Sequence, residues 1–188
     1  MSIPSGVDRT RRNILVGSCV VGGAAGVTAA IPFIASMEPS ERAKALGAPV
    51  EADISKLAPG QLMTLEWRGK PVWILRRTPE MIASIAKNDA VVVDPKVTKN
   101  FQPVELKGKT NRALKDEFFV AVGVCSHLGC SPIFKPEDAQ FYCPCHGSKF
   151  DLAGRVYAGS PAPTALEVPP HVYMSDTTIL IGVDKKEA

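Results

Sequence analysis

Two short boxes constrain this chain more than any other feature: Cys125-Ser126-His127-Leu128-Gly129-Cys130 and Cys143-Pro144-Cys145-His146-Gly147-Ser148. They offer a Cys-x-His pair and a Cys-x-x-His pair, enough for four metal bonds, and leave Cys130 and Cys145 over. A thiolate is a soft donor suited to iron-sulfur clusters or zinc, whereas a neutral imidazole adds no negative charge to the metal it binds. Two imidazoles in place of two thiolates therefore make an added electron easier to accept. Each box is short enough to form a turn that presents one thiolate and one imidazole together. The residues by themselves leave two readings open, a redox-active iron-sulfur centre and a structural zinc site of Cys2His2 type.

The boxes resemble those of Rieske iron-sulfur proteins, in particular the bacterial-type Rieske subunit of cytochrome bc complexes, and the likeness runs from the amino-terminal arginines to about Pro169. The resemblance implies a 2Fe-2S cluster with Cys125 and Cys143 on one iron and His127 and His146 on the other. It makes Cys130 and Cys145 a disulfide and Ser148 a hydroxyl donor to a bridging sulfide. Leu128, Gly129, Phe150 and Pro161 surround the cofactor, and Gly154-Arg155-Val156 and Pro161-Ala162-Pro163 match the stretches that close over it. The implied fold is mainly β: a Rieske-type antiparallel sandwich over residues 51–188, with a small cluster-binding subdomain at about 122–165.

The implied activity is that of a quinol-cytochrome c oxidoreductase subunit that turns over only within its complex. It takes one electron and a proton from ubiquinol and passes the electron to a c-type cytochrome. In that reading His146 is the quinol-facing ligand and proton acceptor, His127 is also exposed, and Leu128 belongs to an apolar docking tip. The midpoint potential is then flat at low pH and falls once pH passes the oxidised histidine pKa. Implied partners are a cytochrome b subunit, a c-type cytochrome, ubiquinol and membrane lipid in a dimeric complex, with no nucleic acid. The alternative is an anchored Rieske protein of another system, cytochrome bf-like or arsenite-oxidase-like. Ring-hydroxylating oxygenases and their ferredoxins use the same four ligands but generally lack the spare cysteines and an anchor.

Two departures from the family pattern matter. Many relatives carry a tyrosine that donates to a ligand sulfur where this chain has Phe150, and losing that donor should lower the potential. The loop Gly159-Ser160-Pro161-Ala162-Pro163 is one residue longer than the usual Gly-Pro-Ala-Pro.

Ahead of the boxes, Ile14 to Met37 contains no charged residue. At about 1.5 Å per residue this stretch covers about 36 Å, enough for a transmembrane helix across a bilayer core of about 30 Å. Arg9, Arg11 and Arg12 precede it, so the positive-inside bias keeps residues 1–13 cytoplasmic and places the Rieske domain in the periplasm of a bacterial inner membrane. Arg11-Arg12 followed by Asn13-Ile14-Leu15 also resembles a twin-arginine export signal, a route suited to a domain that crosses already folded around its cofactor. No convincing cleavage site follows, so the segment reads as an uncleaved anchor. Cys19 lies within it and reads as a buried apolar residue, not a ligand.

Residues 38–50 are small and polar and read as a flexible hinge. Strands are expected at Leu62 to Trp67, Val72 to Arg76, Phe118 to Val124, Gln140 to Cys143, Leu166 to Val168 and Thr178 to Gly182, with a hairpin turn at 67–71. One helix is expected after Thr78, with Pro79 and Glu80 in its first turn and Met81, Ile82 and Ile85 on its apolar face. Asp94 to Lys115 reads as a surface excursion. His171, the third histidine, reads as a surface or structurally satisfied residue at the start of a final strand.

Overall fold

A computed structural model describes residues 8–99 and 102–183, so most of the expected cytoplasmic segment 1–13 lies outside the described residues. The chain divides into two compact units, residues 1–45 and 46–188.

The first unit is dominated by helix α1, Arg9–Ala35. Asp8 caps it by accepting from the N–H groups of Thr10 and Arg11 at 3.0 and 3.2 Å. That cap draws Arg9 to Asn13 into the helix, so α1 begins before the expected Ile14 and ends two residues before Met37. Among the described residues α1 is the one helix long and apolar enough to cross a membrane. No side chain of α1, Cys19 included, is covered by protein, as suits a helix whose surroundings are lipid. A short helix, α2 (Glu41–Leu46), lies inside the stretch expected to be a flexible hinge. Its formation follows from Ala43 and Ala45, from Ser40 Oγ accepting the Ala43 N–H at 3.2 Å, and from a Glu41–Lys44 pair at 2.8 Å.

Among its described residues the second unit holds three antiparallel sheets of three strands each. The first, in spatial order β1-β9-β8, comprises β1 (Val50–Asp53), β8 (His171–Tyr173) and β9 (Thr178–Ile181). The second comprises β2 (Leu62–Trp67), β3 (Lys70–Arg76) and β4 (Phe118–Val122), with β3 in the centre. The third comprises β5 (Ile133–Lys135), β6 (Gln140–Tyr142) and β7 (Lys149–Asp151), with β6 in the centre. Helix α3 (Pro79–Lys87) follows β3, capped as expected by Thr78, whose hydroxyl accepts from the Met81 N–H.

The β2-β3 turn is a two-residue hairpin in which Arg68 and Gly69 both have positive φ, 53° and 70°, as the right-handed strand twist demands of such a loop. Strands β3 and β4 are apolar on both faces because each separates two cores. Val72, Ile74, Phe118, Val120 and Val122 pack toward Ala52, Ile179 and Ile181 of the first sheet. Trp73, Leu75, Phe119 and Ala121 alternate with them and pack toward Phe141 and Phe150 of the third sheet, with Trp73 stacked on Phe141 at 5.1 Å. The side-chain period of two thus assigns each residue to one core or the other. The second core also contains Cys125 and Cys143, so the boxes are rooted in packed structure.

Three expectations need correction. Leu166 to Val168 is irregular, not a strand; the prolines at 161, 163, 169 and 170 remove donors a ladder would need, although the Glu167 carbonyl accepts from Val122. The excursion from Asp94 to Lys115 is anchored inside the molecule by buried Val97, Leu106, Arg112 and Ala113. His171 is 4% exposed at the start of β8. Its Nδ1–H donates to the Pro169 carbonyl at 2.9 Å, but its Nε2 has no partner, so it is neither a surface residue nor a fully satisfied one.

Candidate metal centre

The two boxes fold as matching loops. In each, the first cysteine carbonyl accepts from a glycine N–H four residues on: Gly129 to Cys125 at 3.0 Å, and Gly147 to Cys143 at 2.9 Å. In each, the same cysteine N–H donates to the carbonyl five residues on: Cys125 to Cys130 at 2.7 Å, and Cys143 to Ser148 at 2.8 Å. Both glycines are left-handed, with φ of 85° and 77°, a conformation that side chains oppose. Gly129 was expected near the cofactor from the resemblance, and Gly147 holds the equivalent place in the second box.

The loops bring the four candidate ligands together. Cys125 and Cys143 are free thiols, each 2% exposed. The rings of His127 and His146 stand perpendicular, with centroids 4.7 Å apart. Burial pushes the Cys143 thiol up and the neighbouring Cys125 thiol adds to that push, while hydrogen bonds from the backbone N–H groups of Cys145 and His146 pull it down. Backbone donors aimed at a sulfur are suited to a metal-bound thiolate. His127 Nδ1 is buried without any partner. An unpartnered imidazole nitrogen beside two free, buried thiols is unfavourable unless a metal takes the lone pairs, so the donor set fits a cluster of the 2Fe-2S type.

Cys130 and Cys145 form a disulfide with Cα atoms 6.6 Å apart, joining the two boxes. The sulfurs of Cys130, Cys143 and Cys145 lie within 4.8 Å of one another. Two of these sulfurs are spent in the cystine, so this trio does not itself offer three metal bonds. Leu128, Gly129 and His146 are exposed, and Leu128 is 70% so.

A proline-rich strap forms a third wall, and one serine from each box holds it. Ser126 Oγ donates to the Thr164 carbonyl at 2.6 Å, while Ser148 Oγ accepts from the Ala162 N–H at 3.1 Å. The role expected of Ser148 was donation to a sulfide; its hydroxyl hydrogen remains available while its lone pair holds Ala162. Ser126 was not anticipated, because a serine between two ligands looks like filler until the strap is in place. Pro161 is an exposed strap residue, and Phe150 is fully buried opposite Phe141 on β7.

The turn after β7 is fixed by three fully buried guanidinium groups. Arg77 donates to the Leu152 carbonyl at 3.1 Å, and Arg112 donates to the carbonyls of Ala153 and Leu166 at 2.9 and 2.6 Å. Arg155 pairs with the buried Asp151 at 2.8 Å and with Asp89, and also donates to the Ile85 carbonyl. Asp151 accepts the N–H groups of Ala153 and Arg155 at 3.0 and 2.8 Å. Burial pushes the Asp151 carboxyl up, against the pull of Arg155 and those two backbone donors. Burial also lowers Arg77 and Arg112 to about 10, which still leaves both charged near neutral pH.

Comparison with known proteins gives consistent results. Residues 49–170 match the family described as Rieske [2Fe-2S] domain, and residues 1–40 match the one described as ubiquitinol-cytochrome C reductase Fe-S subunit TAT signal. The chain is 53% identical to the ubiquinol-cytochrome c reductase iron-sulfur subunit of Allochromatium vinosum, covering 97% of this chain and 93% of that one. It is 41% identical to the corresponding subunit of Bradyrhizobium diazoefficiens, covering 97% and 100%. Among solved structures, a chain of a hyperthermophilic respiratory complex III aligns with a TM-score of 0.51 and 30% identity, covering 88% of this chain and 98% of that one.

Proposed function

This chain belongs to the Rieske [2Fe-2S] domain family, and on that premise we propose that it is the iron-sulfur subunit of a membrane-bound ubiquinol-cytochrome c reductase. The observation that carries the reading is the convergence of two free buried thiols and two imidazoles beside a cystine, with one imidazole nitrogen lacking any protein partner. The 2Fe-2S group supplies a one-electron couple when bound. Cys125 and Cys143 hold one iron through sulfur, and His127 and His146 hold the other through nitrogen.

The rest of the work belongs to the chain. The two loops and their glycines fix the ligand directions, the strap excludes water, and the cystine prevents the loops from parting. His146 is exposed, so its outward nitrogen can accept the quinol proton, and the exposed Leu128 offers an apolar contact to the membrane subunit that binds quinol. Helix α1 anchors the subunit as a single span, with residues 1–13 cytoplasmic and the Rieske domain periplasmic, in keeping with Arg9, Arg11 and Arg12. Residues 38–50 link the two units. A cytochrome b subunit and a c-type cytochrome are the partners, in a dimeric complex.

The test is metal and sulfide analysis of the purified chain, followed by low-temperature electron paramagnetic resonance after reduction. The expected result is a coloured protein with iron and acid-labile sulfide in equal amounts and a paramagnetic reduced state. A colourless protein carrying one zinc would overturn the proposal. Co-purification with haem-bearing membrane subunits separates this reading from a cytochrome bf-like or arsenite-oxidase-like protein.

A further inference from the structure

Taking the ligand assignment above as premise, we propose that the cluster-free chain contains a self-sufficient thiol-disulfide exchange, in which the Cys143 sulfur attacks the Cys130–Cys145 bond, and that the cluster suppresses it by occupying Cys143. The juxtaposition behind this is direct. The sulfurs of Cys130, Cys143 and Cys145 all lie within 4.8 Å of one another; two are joined, and the third is free. An iron centre needs the thiolate of Cys143, but nothing in that role requires its sulfur to sit against a cystine. Once the metal is gone, a nucleophile and an electrophile are held side by side in one short loop system, where exchange proceeds without any encounter step.

The step balances within the chain. The Cys143 thiolate sulfur forms a bond to Cys130 Sγ as the Cys130–Cys145 bond breaks, and the electron pair leaves on Cys145 Sγ. The proton lost by Cys143 is regained from water by Cys145. One disulfide and one thiol remain, so no external oxidant or reductant is consumed.

The direction of attack follows from geometry. Attack on Cys145 would close a ring containing only Pro144 between the two cysteines, where the fixed proline φ opposes disulfide geometry. Attack on Cys130 instead links the two boxes across space, as the existing bond does. It also releases Cys145, whose side chain is exposed, so the departing thiolate is solvated. The product has Cys143 locked in a cystine and cannot accept a cluster until exchange reverses. Cluster occupancy and correct cysteine pairing are therefore one coupled equilibrium.

The experiment uses the full chain in detergent, purified with its cluster, beside a portion stripped of iron by a chelator under anaerobic, non-reducing conditions. Free thiols are alkylated and the disulfides mapped by mass spectrometry, with Cys19 as a thiol alkylated in both samples. The loaded chain is expected to contain only the Cys130–Cys145 link. The stripped chain is expected to gain a Cys130–Cys143 link together with alkylated Cys145. The Cys143→Ser chain should retain Cys130–Cys145 alone, while a cluster-free Cys125→Ser chain, which keeps the attacking sulfur, should still exchange. A stripped chain and a Cys125→Ser chain that both show only Cys130–Cys145 would overturn the proposal, as would a new link made by Cys125. Failure of the premise is read separately: a purified chain with zinc and no labile sulfide removes the ligand assignment before any thiol is mapped.

Discussion

Replacing Asp151 by asparagine isolates one charge at the centre of the turn that follows the second box. The change is nearly isosteric, and the site is fully buried. Asp151 Oδ1 takes two backbone N–H groups and Oδ2 takes the Arg155 guanidinium at 2.8 Å, so every contact it makes is with a donor. An asparagine amide has one acceptor and one donor face, and either orientation sets N–H groups against N–H groups. Arg155 would retain only the half-exposed Asp89 as a counter-charge. Breaking a buried pair by removing one partner costs about 3–5 kcal/mol. At about 2–4 °C per kcal/mol for a unit of this size, the melting temperature should fall by about 6–20 °C. Thermal unfolding of the full chain in detergent, followed by near-ultraviolet circular dichroism, measures this. Pairing the change with Arg155→Met should cost less than the two single changes added together, by about 2 kcal/mol. A fall under about 3 °C, or strict additivity, would refute the view that this ion pair holds the turn.

Further outcomes are expected elsewhere. Burial holds His171 below its ordinary value of 6.5, against the pull of Pro169 and Glu105, so the unfolded chain binds its proton first as pH falls. Stability should therefore decline below about pH 6.5 with a slope of at most about 1.4 kcal/mol per pH unit, and His171→Gln should flatten that slope in urea titrations run across the range. Gly123→Ala would drive a Cβ into the Trp73 ring, so it should destabilise by about 1–3 kcal/mol and alter Trp73 fluorescence through loss of its stacking on Phe141. Ser126→Ala removes the clamp on Thr164 and should cost about 1 kcal/mol while speeding cluster loss, measured by the decay of visible absorbance; Ser126→Thr should restore the slower rate. Phe150→Tyr should raise the midpoint potential in a redox titration, and an unchanged or lower value would show that no ligand sulfur is within reach of the new hydroxyl.

Much of this molecule was open to a reader of the sequence because its decisive signals are local. The ligand types sit in two boxes of six residues, the span is an unbroken apolar run, and the Thr78-Pro79-Glu80 cap and the Arg68-Gly69 hairpin depend only on neighbouring residues. Contacts distant in sequence stayed hidden. Arg77 and Arg112 are buried because they find carbonyls on the 152–166 stretch, up to 75 positions away, and Arg155, which lies on that stretch, because it finds Asp89 and the Ile85 carbonyl. Four strands of three or four residues, β1, β5, β7 and β8, were missed or barely sensed, since so short a run carries no periodicity until a partner aligns with it. The apolar run of β4 announced burial, yet which residue faces which core was settled by two sheets packing on opposite sides. Residue chemistry alone thus determined that this chain offers two thiolates and two imidazoles to a metal, with iron-sulfur and zinc both open. Tertiary structure decided how the site is held, because a serine clamp, a cystine and the carbonyl partners of buried Arg77 and Arg112 come into place only once separate segments meet.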